Sequence, residues 1–104
     1  MRQFDIAENR NPDTRDQVPY FLLLQADLFD DLATRVVAPL IPADCYGPRL
    51  DWLNPTVRIR DIEYVVSMAE LAGVPASIIG ATVASAESKR HEAISALDFL
   101  FTGS

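Results

Sequence analysis

The sequence is poor in cysteine and in long apolar runs, and each shortage excludes a class of protein. Cys45 is the only cysteine, so the chain cannot form an internal disulfide, and a reducing compartment is expected. No stretch approaches the roughly 18 consecutive apolar residues of a membrane span, and the start MRQFDIAENR lacks the apolar core of a signal peptide. We therefore expect a cytoplasmic protein without a membrane segment.

Basic residues are also scarce. Nine Lys and Arg residues stand against 15 Asp and Glu residues, for a net charge of −6. Proteins that bind nucleic acid through its phosphates carry a basic surface, so direct nucleic-acid binding is not expected. The length of 104 residues suits one domain, residues 1–104, with a single core. A protein or a small ligand is the expected partner.

Three segments of the N-terminal half have strand patterns. Gln3 to Ala7 alternates apolar and polar residues, which predicts a half-buried strand. Tyr20 to Ala26 is a short apolar run, which predicts a central strand covered on both faces. Arg35 to Ile41 contains Pro39, which has no N–H to donate, so this strand is expected at an edge or a bulge. The polar segment Asn9 to Gln17 predicts an exposed, mobile loop.

The following segments predict turns and then a hairpin. Ile41 to Pro55 contains three prolines, one glycine and Trp52, a composition that predicts a structured excursion without long regular elements. Thr56 to Arg60 and Ile62 to Met68 alternate in the manner of a hairpin with a tight turn at positions 60 and 61. Ala76 to Ile79 predicts a last short strand, after which the β part is expected to end.

The residues from Ser85 onward predict one helix. The segment SAESKRHEAISALDFLF lacks Gly and Pro, Ser85 is a suitable N-cap, and Gly103 is well placed to terminate the helix. The predicted apolar face consists of Ala86, Ala93, Ile94, Leu97, Leu100 and Phe101. Phe99 lies about 140° from Ile94 around the helix, outside that face. It is either an isolated exposed aromatic or part of a second interface.

Four segments follow one another in a recognisable order: RVVAPL from Arg35, LNPTVRI from Leu53, VPASIIG from Val74 and the closing ALDFLFTGS. In this order they resemble the CcdB family, the gyrase-poisoning toxins of bacterial type II toxin-antitoxin modules. The resemblance covers nearly the whole chain. It implies a mainly β fold, an SH3-like barrel of the CcdB and MazF type, with a C-terminal α-helix packed on the sheet.

The resemblance also implies partners and binding residues. It predicts a homodimer whose paired helix ends bind the DNA gyrase A subunit and trap the cleaved gyrase-DNA complex. It further predicts neutralisation by a CcdA-like antitoxin, and no catalysis and no cofactor. The implied gyrase-binding residues are Leu28, Phe29, Asp98, Phe101, Thr102, Gly103 and Ser104. The antitoxin-binding residues are unknown, and the loop Asn9 to Gln17 is a candidate contact.

The last residue departs from the family pattern. Family members commonly end on Gly and then Ile, so Gly103 matches and Ser104 does not, while Thr102 stands where some members have Trp. A fully buried Ile side chain contributes about 1.5 to 3 kcal/mol, so its loss bears on toxicity and not on the fold. A nontoxic homologue that still folds and binds antitoxin is therefore an alternative. A MazF-like endoribonuclease using Arg58 and Arg60 is a second alternative, which the acidic balance disfavours.

The remaining reactive side chains predict no further chemistry. Asp27, Asp30 and Asp31 could offer oxygen ligands to a divalent cation, but Asp is common in turns, and we expect no metal site. His91 is expected to be a solvated helix residue. Cys45 has no neighbouring His to activate it, and it is expected to be partly buried. We expect no catalytic residue.

Overall fold

The computed structural model describes residues 1–27 and 31–103. In these residues the strands are β1 (Asp5–Asn9), β2 (Tyr20–Leu23), β3 (Thr34–Pro42), β4 (Thr56–Ile59), β5 (Ile62–Val66), β6 (Ala72–Pro75) and β7 (Ile79–Ser85). One α-helix, α1 (Arg90–Thr102), follows them. The strands form one curled antiparallel sheet in the order β4-β5-β3-β2-β1-β7, with β6 also paired to β3. The expected mainly β, barrel-like fold with a C-terminal helix is confirmed, and the curled sheet forms a half-barrel.

Both faces of the sheet are covered by apolar side chains. The core on the side of α1 includes Phe4, Ile6, Leu22, Leu40, Val66 and Met68. The core on the opposite face includes Ala7, Phe21, Leu23, Val37 and Ile79. Each large buried side chain contributes about 1.5 to 3 kcal/mol. The apolar run that begins at Tyr20 is thus confirmed as a central strand, because its residues alternate between two buried faces.

The prediction for the first strand is partly wrong. β1 begins at Asp5 rather than Gln3, because Phe4 has a φ of 66° and so lies outside the extended conformation. Phe4 is nevertheless fully buried in the core beside α1. Ala7 is also fully buried, in the other core. The strand is therefore covered on both faces and not half-buried.

Strand β3 lies inside the sheet, so of the two positions predicted for it, an edge or a bulge, the edge is wrong. It pairs with β2 on one side, and on the other side with β5 through Leu40 to Pro42 and with β6 through Thr34 to Val37. Pro39 lies between these two partners. Its carbonyl accepts a hydrogen bond from Ser67 N at 2.9 Å. Since the N–H and C=O of a strand residue point to the same side, the missing N–H of Pro39 faces the gap between β6 and β5, where no strand needs it.

The predicted hairpin is confirmed. β4 pairs with β5 from Thr56 opposite Val65 to Ile59 opposite Ile62. The two turn residues have positive φ angles, 51° at Arg60 and 67° at Asp61. This is the geometry of a type I′ turn, whose twist matches that of the flanking strands.

The β part continues beyond Gly80, contrary to the sequence-based prediction. Residues Ala76–Ile78 form a 3₁₀ turn rather than a strand, and β7 follows along β1, with Asp5 opposite Ser85. Gly80 marks a close approach and not a strand end. An added Cβ there would lie 2.9 Å from Arg10 Nε and 3.1 Å from Glu8 Cβ. The absence of a side chain at Gly80 therefore leaves room for the side chains of Glu8 and Arg10.

The segment between β3 and β4 is fixed by buried polar contacts, which agrees with the predicted structured excursion. It begins with the 3₁₀ turn Ala43–Cys45. Asn54 accepts a hydrogen bond from Leu50 N at 3.1 Å and donates to Val66 O on β5 at 3.3 Å. Cys45 is exposed, so its predicted partial burial is wrong.

The helix differs from the prediction at its start and agrees at its end. Ser85 is the last residue of β7, where its Oγ accepts a hydrogen bond from Glu87 N at 3.2 Å. A 3₁₀ turn at Glu87–Lys89 precedes α1. Ser85 is therefore not the N-cap of α1, whose N-cap position is Lys89. Gly103 ends the helix in the left-handed conformation, as predicted.

The buried face of α1 is narrower than predicted. Its buried residues are Ala93 and Ala96, and Leu97 packs partly against the same core. Ile94 is 38% exposed and Phe101 is 71% exposed, so neither belongs to the packing face. The fully buried positions of the helix are thus alanines, and the larger side chains of Ile94 and Phe101 lie at its flank.

Tyr64 gives the core a pH dependence. Its ring meets that of Tyr20 edge-on at 5.3 Å. Burial, and to a lesser degree the neighbouring Tyr20, raises the pKa of Tyr64 above its ordinary value of 10.0, against a small opposite effect of Arg60. The folded state therefore favours the neutral phenol, and its stabilising contribution is complete below pH 10.0. It is lost as the pH rises through the folded-state pKa.

We predict that Tyr64→Phe flattens the alkaline loss of stability. The substitution removes the titrating hydroxyl and keeps the ring. The free energy of unfolding, measured by denaturant titration from about pH 8 to about pH 11, should fall less in the variant than in the unsubstituted protein. An equal fall in both proteins would show that another group causes the alkaline loss.

Candidate functional site

The C-terminal end of α1 brings four of the seven predicted site residues together. Thr102 Oγ1 donates a hydrogen bond to Asp98 O at 2.6 Å, and Gly103 N donates to Phe99 O at 2.8 Å. Asp98, Phe101, Thr102 and Gly103 are all exposed. The last turn contains no basic residue, so the negative end of the helix dipole has no cation from its own turn. We call these four residues the helix-end surface.

Leu28, Phe29 and Ser104 lie outside the described residues, and their roles stay predictions. Asp27, directly before Leu28, is well anchored. Its Oδ1 accepts a hydrogen bond from Gln3 N at 2.6 Å, and its Oδ2 lies 3.8 Å from Arg2 Nε. This carboxylate therefore ties the end of the β2 region to the N-terminus.

A cleft of about 390 Å³ beside Asp27 is lined mainly by charged residues. Its groups already pair with one another, because Arg90 Nη1 donates to Gln3 Oε1 at 3.1 Å and lies 3.8 Å from Glu87 Oε1. The Arg90 guanidinium also stands 5.2 Å from the centre of the Phe4 ring. These contacts join the N-terminus to the first turn of α1, so the cleft is best explained as structural.

Phe99 has a specific partner that the sequence did not reveal. Its ring packs against that of Trp52 with centroids 4.0 Å apart and planes inclined by 35°. Trp52 is 50% exposed and Phe99 is 36% exposed. Of the two alternatives for Phe99, the isolated aromatic is therefore wrong, and a second interface stays a prediction. No periodic pattern could signal this contact, because Trp52 belongs to an irregular segment far away in the sequence.

An apolar depression lies on the other face of the sheet. This groove, of about 230 Å³, is lined by apolar side chains that include Val18, Phe21, Val37 and Ile78. The loop that borders it is folded around Asn9, whose Nδ2 donates to Val18 O at 2.8 Å and to Thr14 Oγ1 at 3.0 Å. The exposed loop predicted from Asn9 to Gln17 thus forms one wall of a groove.

The other candidate residues lie apart from the helix-end surface. Arg58 lies in β4, and its Nη1 donates to Asp61 O at 3.0 Å at the hairpin turn. His91 is exposed in the first turn of α1. Within residues 1–27 and 31–103 no group of three or more His, Cys, Asp and Glu side chains could hold a metal ion. In the same residues no helix is long and apolar enough to cross a membrane.

Comparison with protein-family models shows which family the chain belongs to. The family model described as CcdB protein matches residues 3–103. The chain belongs to the CcdB family. It is therefore a toxin of the toxin-antitoxin type. The match includes all the elements described above and the whole of the helix-end surface.

Solved structures support the fold of this CcdB family member. The Mycobacterium tuberculosis toxin MazF-mt6 is 18% identical, with a TM-score of 0.75, over 93% of this chain and 95% of that chain. A second structure, described as the crystal structure of an Mtb toxin, is 17% identical with a TM-score of 0.72. That match covers 92% of this chain and 99% of the other. At such identities the similarity shows the shared fold alone.

We predict that Gly103→Ala loosens the end of α1. Gly103 has a φ of 74°, a conformation that costs a residue with a Cβ about 1 kcal/mol. The Gly103→Ala variant should unfold at a lower denaturant concentration, and the amide of residue 103 should exchange faster in hydrogen-exchange NMR.

Gly47→Ala is the matched control. An added Cβ at Gly47 meets no atom within 4 Å, and the φ of Gly47 is not positive, so the change should not destabilise the protein and can stabilise it by up to about 1 kcal/mol. Equal stability of the two variants would mean that the left-handed cap contributes nothing.

Proposed function

We propose that this CcdB family toxin binds the A subunit of DNA gyrase through the helix-end surface and traps the cleaved gyrase-DNA complex. The observation that carries the proposal is Phe101, a large aromatic side chain that is 71% exposed on the terminal turn of the helix. Large aromatic side chains dominate the energetics of protein interfaces. The position of Phe101 matches the family residue implied in gyrase binding.

The toxin acts by binding and not by catalysis. Burying a ring such as that of Phe101 contributes about 1.5 to 3 kcal/mol, and a two-fold homodimer brings two helix ends to the same target. Ile94 is 38% exposed and lies on the same flank of the helix as Phe101. It extends the apolar surface that either the second protomer or gyrase can cover. No cofactor takes part in this mode of action.

The neutralising partner is a CcdA-like antitoxin, and the proteins meet in the cytoplasm, where gyrase acts. The apolar groove bordered by the loop from Asn9 to Gln17 is the candidate antitoxin contact. It suits the tail of an extended chain, because it offers an apolar floor at Phe21 and Val37 beside the loop. Apolar side chains that alternate along such a tail can enter a groove of this kind.

We predict that the purified protein converts supercoiled DNA to linear DNA in the presence of gyrase from its own host. Phe101→Ala should greatly reduce the linear product, because it removes the exposed ring without touching the core. The measurement is gel electrophoresis of the DNA after denaturation of the trapped enzyme.

Two controls separate the alternatives. A parallel incubation with RNA tests the endoribonuclease alternative, which predicts RNA cleavage without gyrase. Binding to the antitoxin tail without any DNA cleavage would identify the nontoxic homologue. Absence of linear DNA with the host gyrase would contradict the proposed poisoning.

We predict that Ser104→Ile strengthens binding to the gyrase A fragment by about ten- to a hundredfold. The reason is the apolar burial of about 1.5 to 3 kcal/mol that the family's terminal Ile supplies. Isothermal titration calorimetry measures the change. Ser77→Ile adds the same side chain at an exposed position in the turn before β7 and should leave the affinity unchanged. Equal affinities of all three proteins would show that the last residue does not enter the interface.

A further inference from the structure

We infer that Trp52 is a positioning residue, which fixes the end of α1 through Phe99 and thereby orients the helix-end surface. This inference rests on the proposed function where it concerns gyrase. Its structural part, the support of the helix end by Trp52, stands without it. Trp52 lies in the segment between β3 and β4 and is not among the seven residues that the family resemblance implies.

The end of α1 needs support because the core holds the helix mainly through its earlier turns. The buried residues of α1 are Ala93 and Ala96, and Leu97 packs partly against the same core. None of the residues from Phe99 to Thr102 is buried. A last turn without buried side chains is free to fray unless another contact restrains it.

The ring contact between Trp52 and Phe99 supplies such a restraint. The centroids lie 4.0 Å apart and the planes are inclined by 35°, so the two rings are in direct contact, and contacting aromatic pairs stabilise each other beyond simple burial. Phe99 also provides the carbonyl that accepts the hydrogen bond of Gly103 N at 2.8 Å. Trp52 therefore contacts Phe99, the same residue whose carbonyl accepts the hydrogen bond that ends the helix.

Trp52 can act as a support because its own segment is fixed to the sheet. Asn54 joins Leu50 N to Val66 O on β5. Tyr46 OH lies 3.3 Å from Ser67 Oγ, and Ser67 Oγ donates to Glu70 Oε1 at 2.6 Å. Asn54 and Ser67 are both buried, so breaking these bonds would leave unpaired polar groups. The ring is thus carried by an anchored segment.

Hydrogen exchange of the isolated protein tests the structural part. Trp52→Ala should speed exchange of the Gly103 amide by about tenfold, the factor expected on losing a good aromatic pair. Exchange in the hairpin β4–β5 should not change. Trp52→Phe should restore much of the protection, because it keeps an aromatic ring. Unchanged exchange at Gly103 in Trp52→Ala would overturn the inference.

A double-mutant cycle with the gyrase A fragment tests the functional part. If Trp52 acts through Phe99, then Trp52→Ala weakens binding by about three- to tenfold, and adding it to Phe99→Ala weakens binding no further. Additive losses would mean that Trp52 touches gyrase directly, which overturns the positioning role. Leu50→Ala is the matched control, since Leu50 is 48% exposed in the same segment, and it should bind like the unsubstituted protein.

The two tests keep the two proposals apart. If the unsubstituted protein does not bind the A fragment, the proposed function fails, and the exchange rate at Gly103 alone decides whether Trp52 supports the helix. If the A fragment binds and Trp52→Ala neither weakens binding nor speeds exchange, the positioning role fails, and the proposed function stands.

Discussion

The fold depends on strand β3, which pairs with three other strands. One side pairs with β2 from Val37 to Leu40, while the other side pairs with β6 from Thr34 to Val37 and with β5 from Leu40 to Pro42. Pro39 lies where these two partners meet, so the missing N–H costs no ladder bond. At Pro39 the pairing on this side of β3 changes from β6 to β5, and the sheet curls into a half-barrel. The other strands, and through them the helix, are positioned by this change of pairing along β3.

The second constraint is the small buried face of α1. Alanine occupies its buried positions 93 and 96. The larger apolar side chains of α1 therefore lie at its flanks, with Phe99 against Trp52 on one side and Ile94 and Phe101 exposed on the other.

Local signals in the sequence predicted the features that depend on neighbours in the chain. The hairpin turn at Arg60, the helix end at Gly103 and the covered strand at Tyr20 are of this kind. Features set by distant segments were missed. Pro39 indicated an edge strand, because the change of partner from β6 to β5 beside it cannot be seen in the sequence. Gly80 indicated a strand end, because the close approach of Arg10 to Gly80 exists only in the folded chain.

The candidate site was predictable to a different extent. The family resemblance pointed to the end of α1, and the structure places Asp98, Phe101, Thr102 and Gly103 together there. Leu28, Phe29 and Ser104 stay predictions. Trp52 had no signal at all, because an aromatic residue in a turn segment has no period that would indicate its contact. The contact of Trp52 with Phe99 arises only when the chain folds, so no local sequence pattern indicates it.

The pairing of β1 with β7 has a consequence for how the protein forms during synthesis. Asp5 lies opposite Ser85, so one edge of β1 stays unpaired until the ribosome has synthesised β7. Until then that edge can pair with another chain. The hairpin β4–β5 closes early by contrast, since its partners are separated by two residues. α1 follows β7, so the toxin acquires its helix end only after the late partner of β1 has been made.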